Sequence, residues 1–260
     1  MRKMKMKVVM RLVAFAAVLV AGCATAPDPV RESASGGPSA RGRIRVACIG
    51  DSITWGYAMT NRVAECYPAQ LQRILGDGYE VMNFGDPGAG VYREPKRGPS
   101  GWLPHPWPTG AAVAAYDSDP DIVVSNLGIN DASIYMYEYE HDDTGAAKTE
   151  PGLFRRQYVE LLNKFRKGGR RPRIIMWTRL APAGKSHRLY GRPDQFVMGR
   201  ELDLVAREVG AEPLDMYTPL VPYVETPHYA KDGIHPEGGA QRVIAEITAA
   251  AILSSDFRKP

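Results

Sequence analysis

The sequence predicts an α/β fold built on a parallel sheet within one domain. Apolar runs of strand length alternate along the chain with segments whose apolar residues follow the 3.6-residue helical period. This alternation is typical of βαβ units, whose crossover helices pack on the faces of a parallel sheet. The chain has 260 residues, of which 44% are hydrophobic and 24% charged, which suffices for one sizeable core. A second full domain is not expected.

The expected strands are short apolar runs. They cover residues 44–49, 79–84, 122–127 and 174–177, with a further short strand over Glu212–Asp215. Helical periods are clearest over residues 154–165 and 198–209, each followed by glycine, and in the segment after Pro236. Because helical segments separate the strands, we expect the strands to be parallel.

The first 22 residues have the three parts of an export signal. A basic stretch ends at Arg11, an apolar run follows over residues 12–21, and small residues precede Cys23. The apolar run is too short to span a bilayer. Its end, Leu-Val-Ala-Gly-Cys at 19–23, resembles a bacterial lipobox, in which the cysteine is acylated and becomes the first mature residue. The alternative is a plain secretory signal with an incidental cysteine.

This pattern predicts a lipoprotein signal peptide over residues 1–22 and lipid attachment at Cys23. Residues 23–42 are rich in alanine, serine, proline and glycine and have no apolar period, which predicts a disordered tether. The folded domain is then expected over residues 43–260. The expected localisation is a bacterial membrane, and in a Gram-negative host the outer membrane, because Ala24 rather than aspartate follows the cysteine.

The net charge of +4 comes from the N-terminal segment. Residues 1–22 contain five cations and no acid, which leaves 28 of the 33 basic residues against all 29 acidic ones. No nucleic-acid partner is therefore expected. Cys48 falls in an expected strand and Cys66 at the start of a helix, so we expect free thiols, although an exported protein could join them.

Four short polar segments follow predicted strands or precede the last helix. Each one alone is explained equally well as a turn. Together, however, they would converge at the carboxyl edge of the sheet, where open α/β sheets bind their ligands. The segments are Gly50-Asp51-Ser52, the glycine-rich loop over residues 83–90, Gly128-Ile129-Asn130-Asp131 and Asp232-Gly233-Ile234-His235.

The residue types in these segments fit nucleophilic acyl transfer. Serine is a weak nucleophile unless a base removes its proton, and that base needs a third group to orient it. Ser52 supplies the hydroxyl, and Asp232 and His235 can supply both other groups from one loop. Glycine N–H groups and the neutral amide of Asn130 are suited to bind an oxyanion. The histidines without such a partner are expected on the surface or in substrate loops: His105, His141, His187 and His228.

From about residue 43 to the last helix, these segments resemble the sequence blocks of the SGNH (GDSL-like) hydrolase family. The resemblance implies a flavodoxin-like three-layer α/β sandwich with a central parallel sheet of about five strands. It implies no metal or organic cofactor. The catalytic residues that it implies are Ser52 as nucleophile, Asp232 and His235 as the rest of the triad, and Gly88 and Asn130 as oxyanion donors.

Two neighbouring assignments are less direct. Gly85 and Gly90 lie close enough to Gly88 in sequence to take over the backbone oxyanion donor. Asp51 adjoins the nucleophile, but we expect it to brace the loop rather than to complete the triad.

Within the family, the chain looks most similar to short-chain carbohydrate esterases, including sialate O-acetylesterase-like proteins. The implied activity is hydrolysis of acetyl esters, with a small-molecule or glycan ester as substrate. A lysophospholipase or thioesterase would use the same residues on long acyl chains. An SGNH-type O-acetyltransferase would pass the acyl group to a sugar hydroxyl. The sequence leaves the oligomeric state open.

Two long stretches, residues 91–109 and 133–151, are expected to serve function rather than mere connection. Aromatic faces edged by polar groups suit a sugar, but the same aromatics can simply pack their own loops. The sequence leaves both interpretations open. The residues concerned are Trp102, His105 and Trp107 in the first stretch, and Tyr135, Tyr137, Tyr139, Glu138 and Glu140 in the second.

Overall fold

The computed structural model describes residues 42–94, 105–107, 109–132, 152–185 and 193–254, with side chains from residue 198 onward in the last range. Residues 1–41, which hold the expected signal segment, Cys23 and all of the expected tether except Gly42, lie outside these ranges, as do Trp102 and the stretch 133–151. The strands are β1 (Ile44–Gly50), β2 (Tyr79–Gly85), β3 (Ala89–Gly90), β4 (His105–Pro106), β5 (Ile122–Ser125), β6 (Arg173–Arg179) and β7 (Glu212–Asp215).

Helices connect these strands. They are α1 (Ser52–Trp55), α2 (Arg62–Glu65), α3 (Tyr67–Leu75), α4 (Gly110–Asp117), α5 (Leu153–Asn163), α6 (Pro193–Val209), α7 (Tyr217–Leu220) and α8 (Gly238–Ser254). Two 3₁₀ turns, Lys164–Gly169 and Val221–Tyr223, follow α5 and α7, and residues 129–132 are helical as well. Within the described ranges, no helix is both long enough and apolar enough to cross a bilayer.

The central sheet has five parallel strands in the order β2-β1-β5-β6-β7. Alternate residues of β1 enter two separate hydrophobic cores: Ala47 and Ile49 face α4, α5 and α6, while Val46 and Cys48 face α3 and α8. The sheet is therefore covered by helices on both faces. The predicted three-layer α/β sandwich with about five parallel strands is confirmed.

Strand ends depart from the sequence expectation where polar residues lie in the sheet. The strand predicted over 122–127 ends at Ser125, and the next residue, Asn126, accepts a hydrogen bond from Thr54 Oγ1 at 2.7 Å through its side-chain oxygen. The strand predicted over 174–177 extends to Arg173 and Arg179, whose backbones continue the pairing although their side chains are charged. The prediction of free thiols is confirmed, since Cys48 and Cys66 are both buried and unpaired with each other.

Candidate active site

Ser52 is the first residue of α1 and follows the carboxyl end of β1 directly. Asp51 caps this short helix, because its Oδ1 accepts a hydrogen bond from the N–H of Ile53 at 2.9 Å. The helix ends at Gly56, whose φ of 90° is easily adopted only by glycine. A tight strand-to-helix turn thus presents the Ser52 hydroxyl at the carboxyl edge of the sheet.

His235 lies within hydrogen-bonding distance of both other triad candidates. Its Nε2 is 2.8 Å from Ser52 Oγ, and its Nδ1 is 2.6 Å from Asp232 Oδ2. The other carboxylate oxygen of Asp232 accepts from the backbone N–H groups of Ile234 at 2.9 Å and His235 at 3.2 Å. The three side chains that the sequence analysis selected are therefore arranged as a serine–histidine–aspartate triad, in a continuous hydrogen-bonded relay from Ser52 to Asp232.

Asp232 is held in its charged form by these contacts. Partial burial alone would raise the pKa of this carboxyl, but the hydrogen bonds from Ile234 and His235 and the histidine charge outweigh burial and leave the pKa below its usual value. A carboxylate that stays ionised fixes the histidine proton on Nδ1, which leaves Nε2 free to accept the proton of Ser52.

The residues expected to bind an oxyanion lie in the loop after β2 and in the segment after β5. Gly88 has a φ of 87°, and among the described residues its N–H has no hydrogen-bond partner. Asn130 donates one amide hydrogen to the carbonyl of Ala89 at 2.8 Å, and its second N–H has no acceptor among the residues that the structure describes. The two proposed donors are thus linked through Ala89.

The other two glycines of this loop have different structural roles. The N–H of Gly85 already donates to Asn83 Oδ1 at 2.9 Å, and a Cβ at Gly85 would lie 2.2 Å from the backbone nitrogen of Trp55. Gly90 belongs to β3, and a Cβ there would lie 2.9 Å from Asp131 Oδ1. Close packing therefore explains both of these glycines, and the geometry favours Gly88 as the backbone donor.

Two buried aspartates brace the site from behind. Asp51 contacts Ile53 and Asn126 rather than His235, in agreement with the bracing role expected for it. Asp131 Oδ1 accepts from the N–H groups of Val91 at 2.8 Å and Tyr92 at 3.2 Å, which fastens the loop after Gly88. Burial raises the pKa of Asp51 to about 7 and that of Asp131 to about 6.

Tyr57 is a site residue that the sequence analysis missed. Its ring centroid lies 4.5 Å from that of His235, while 48% of the residue remains exposed to solvent. Tyr57 follows α1, and its N–H donates to the carbonyl of Ser52 at 2.9 Å. The ring therefore packs against the imidazole in a tilted arrangement, and no apolar period in the sequence marks Tyr57.

The position of Trp107 decides between the two interpretations of its role, a sugar platform or packing within the 91–109 stretch. Its side chain is fully buried, its ring packs edge-on against Tyr116 at 5.9 Å, and its Nε1 donates to the carbonyl of Phe84 at 3.4 Å. Trp107 packs its own part of the fold and cannot be a sugar platform. The pairing of β4 with β3 carries it under the loop.

His105 contacts the loop after β2 that contains Gly88. Its Nε2 is 3.1 Å from Asp86 Oδ2, and its backbone N–H donates to the carbonyl of Gly88 at 3.3 Å. The hydrogen bond that His105 donates to the Asp86 carboxylate raises the pKa of His105. His228 instead contacts Tyr223 and accepts from Gly239, whereas His141 and His187 lie outside the described residues.

No group of three or more histidine, cysteine, aspartate or glutamate residues in the described part of the chain could hold a metal ion.

Comparison with known proteins then identifies the family. Residues 48–243 match the model of the GDSL-like lipase/acylhydrolase family. The chain belongs to this family.

A curated relative and two solved structures are similar to this family member. An acetylxylan esterase of Xylanibacter ruminicola is 30% identical over 222 residues, which cover 80% of this chain but only 43% of that protein. An acetyl-xylooligosaccharide esterase from Geobacillus stearothermophilus is 19% identical with a TM-score of 0.55, over 84% of this chain and 97% of the other. The aryl esterase of M. smegmatis is 17% identical with a TM-score of 0.56, over 81% and 99%. At these identities the two structures show a shared fold.

Proposed function

We propose that the protein is a serine esterase that hydrolyses acetyl esters carried by carbohydrate. The observation that carries the proposal is the continuous relay from Ser52 Oγ through His235 to Asp232, with contacts of 2.8 Å and 2.6 Å. The second support is the link between the two expected oxyanion donors, since Asn130 donates to the carbonyl of Ala89, the residue that follows Gly88. These groups are what acyl transfer through a covalent serine ester requires.

In the first half of the reaction, His235 Nε2 takes the proton of Ser52 Oγ as the oxygen attacks the ester carbonyl. The negative charge that develops on the carbonyl oxygen is bound by the backbone N–H groups of Ser52 and Gly88 and by the free amide hydrogen of Asn130. The intermediate collapses when His235 gives its proton to the leaving sugar oxygen. An acetyl ester on Ser52 and a free hydroxyl on the sugar result.

In the second half, water replaces the alcohol. His235 removes a proton from the water, the hydroxide attacks the acetyl carbonyl, and the same donors bind the new oxyanion. Collapse breaks the bond to Ser52 Oγ, His235 returns its proton to that oxygen, and acetate leaves. Asp232 stays ionised throughout and stabilises the transient imidazolium.

The acetylated-carbohydrate assignment is supported by the names of the relatives, which include an acetylxylan esterase and an acetyl-xylooligosaccharide esterase. The test compares aryl esters of increasing acyl length with acetylated xylooligosaccharides, and analyses the products with an added acceptor sugar. We expect kcat/KM to be highest for acetate and every acetyl group to appear as acetic acid. Preference for long acyl chains would indicate a lysophospholipase or thioesterase, and an acetylated acceptor would indicate a transferase.

We also propose that the protein is exported and held at a bacterial membrane by a lipid on Cys23, with residues 23–42 as a tether. The support is the lipobox-like sequence at 19–23 and the short apolar run before it. Cys23→Ser should abolish lipid labelling and release exported protein from the membrane fraction. Wild-type protein that fractionates with membranes but takes up no lipid label would contradict the proposal.

A further inference from the structure

A cavity of about 330 Å³ lies at the same edge of the sheet as Ser52. It is formed where β6 and β7 end, against the middle of α6 and the start of α7. Its volume is at the lower end of the range of pockets that bind small molecules. The residues that line it include Arg179, Leu180, Arg200, Asp203, Tyr217 and Thr218.

Hydrogen bonds join the strand and helix ends that form the wall of this cavity. Arg179 donates to Asp203 Oδ2 at 2.9 Å and to the carbonyl of Thr178 at 2.9 Å. Asp215 accepts from the N–H groups of Tyr217 at 2.8 Å and Thr218 at 3.0 Å, which fixes the start of α7. A site built on helix and strand ends in this way binds a ligand with little loss of conformational entropy.

The chemistry of the wall suits an uncharged sugar ring. Tyr217 is 38% exposed, and its aromatic face can pack on the apolar face of a pyranose. Guanidinium and carboxylate groups around it can bind the hydroxyl rim by hydrogen bonds. Two arginines balance two aspartates in the lining, so the wall has no excess charge that would favour an anionic ligand.

Leu180 connects the cavity to the catalytic site. It lines the cavity and also packs in a small apolar cluster with Ile129 and Ile234, the immediate sequence neighbours of Asn130 and His235. The cavity lies two to three strands from β1, or roughly 10 to 15 Å at the usual strand spacing. Only a substrate longer than one sugar unit would reach both the cavity and Ser52.

We propose that this cavity is a distal subsite for a neutral oligosaccharide, which binds sugar units beyond the one that carries the scissile acetyl group. The proposal rests on the proposed function, because it assumes that the ester belongs to a glycan chain. Binding energy from the distal unit would then contribute to catalysis only on extended substrates.

The test compares Tyr217→Ala with two controls. Tyr217→Phe keeps the aromatic face, and Val221→Ala removes a 48% exposed side chain that follows Tyr217 by four residues and does not line the cavity. The substrates are acetylated xylotetraose, acetylated xylose and an aryl acetate. For Tyr217→Ala we expect kcat/KM on the tetraose to fall about 5- to 30-fold, mainly through KM, with the short substrates unaffected. Both controls should stay close to wild type.

Unacetylated xylotetraose separates failure of the subsite from failure of the proposed function. Calorimetry should show that it binds the wild type and that Tyr217→Ala weakens binding about as much as it weakens turnover. If the wild type hydrolyses aryl acetate but no acetylated glycan, the proposed function fails, and this binding measurement decides the subsite alone. An unchanged ratio of tetraose to xylose turnover in Tyr217→Ala, or no binding to the wild type, would overturn the subsite.

Discussion

Replacing Asp232 by asparagine tests the relay at its most informative position. One carboxylate oxygen of Asp232 accepts hydrogen bonds from two backbone N–H groups, at 2.9 Å and 3.2 Å. The amide oxygen of the new asparagine must stay there, because an NH₂ group cannot accept from those donors. The NH₂ group is therefore forced to face His235 Nδ1.

This orientation inverts the histidine tautomer. An amide N–H that points at Nδ1 requires a lone pair on Nδ1, which moves the ring proton to Nε2. Nε2 would then donate to Ser52 Oγ instead of accepting its proton. With the base lost and the imidazolium no longer stabilised by a charge, we expect kcat to fall by about 10³- to 10⁴-fold.

The assay is the hydrolysis of an aryl acetate, with melting temperature measured on the same preparations. Asp51→Asn is the matched control, because Asp51 is also an aspartate beside a triad residue but contacts Ile53 and Asn126. Its amide oxygen can still cap α1, so we expect kcat within about tenfold of wild type. KM should change little in Asp232→Asn, because the carboxylate acts on the base and not on the bound ester.

The opposite pattern would refute the reasoning. If folded Asp232→Asn retained a tenth of wild-type kcat while Asp51→Asn showed the large loss, the carboxylate assignment would be wrong.

Three further predictions follow from the contacts around the site. Trp107→Ala should lower the free energy of unfolding by about 3 to 5 kcal/mol and lower the activity on glycan and aryl esters equally, because the ring is buried. A loss of activity on glycan esters alone, at unchanged stability, would contradict the packing role of Trp107. Tyr57→Ala should lower kcat about 2- to 30-fold, because the ring lies 4.5 Å from the imidazole that becomes positively charged during the reaction. Tyr57→Phe keeps the ring and should retain wild-type kcat. Equal kcat in the wild type and both variants would show that the ring has no such effect. Burial raises the pKa of Asp51 to about 7 and that of Asp131 to about 6, so both carboxyls bind protons more tightly in the folded protein than in the unfolded chain. The free energy of unfolding should therefore fall as the pH rises from about 4 to about 7, and urea titrations should show a shallower fall in Asp131→Asn. A free energy of unfolding that rises over this interval would contradict the assignment.

The sheet and the relay were predictable because local signals and topology agree. Strand-length apolar runs alternate with helical periods, and the parallel topology brings the ends of β1 and β5 to one edge. Ser52 and His235 are 183 residues apart, yet each follows or precedes an element whose direction the fold determines. This is why short turn-like segments, weak singly, sufficed to locate the site.

Residues that act through non-local packing were not predictable in the same way. Trp107 lies in an irregular insert, and its burial depends on contacts with residues distant in sequence, which no local pattern reveals. Tyr57 reaches His235 because α1 turns sharply at Gly56. Asp131 fastens a loop 40 residues away in sequence, which its position after Asn130 does not reveal.

The central claim is that Ser52 carries the acyl group, and covalent labelling tests it most directly. The wild type is treated with an active-site-directed fluorophosphonate, and the modified peptide is identified by mass spectrometry. We predict one adduct, on Ser52, that forms in step with the loss of activity, no labelling of folded Ser52→Ala, and slow labelling of Asp232→Asn. Inactivation through an adduct on another residue, or full labelling of Ser52→Ala, would contradict the account.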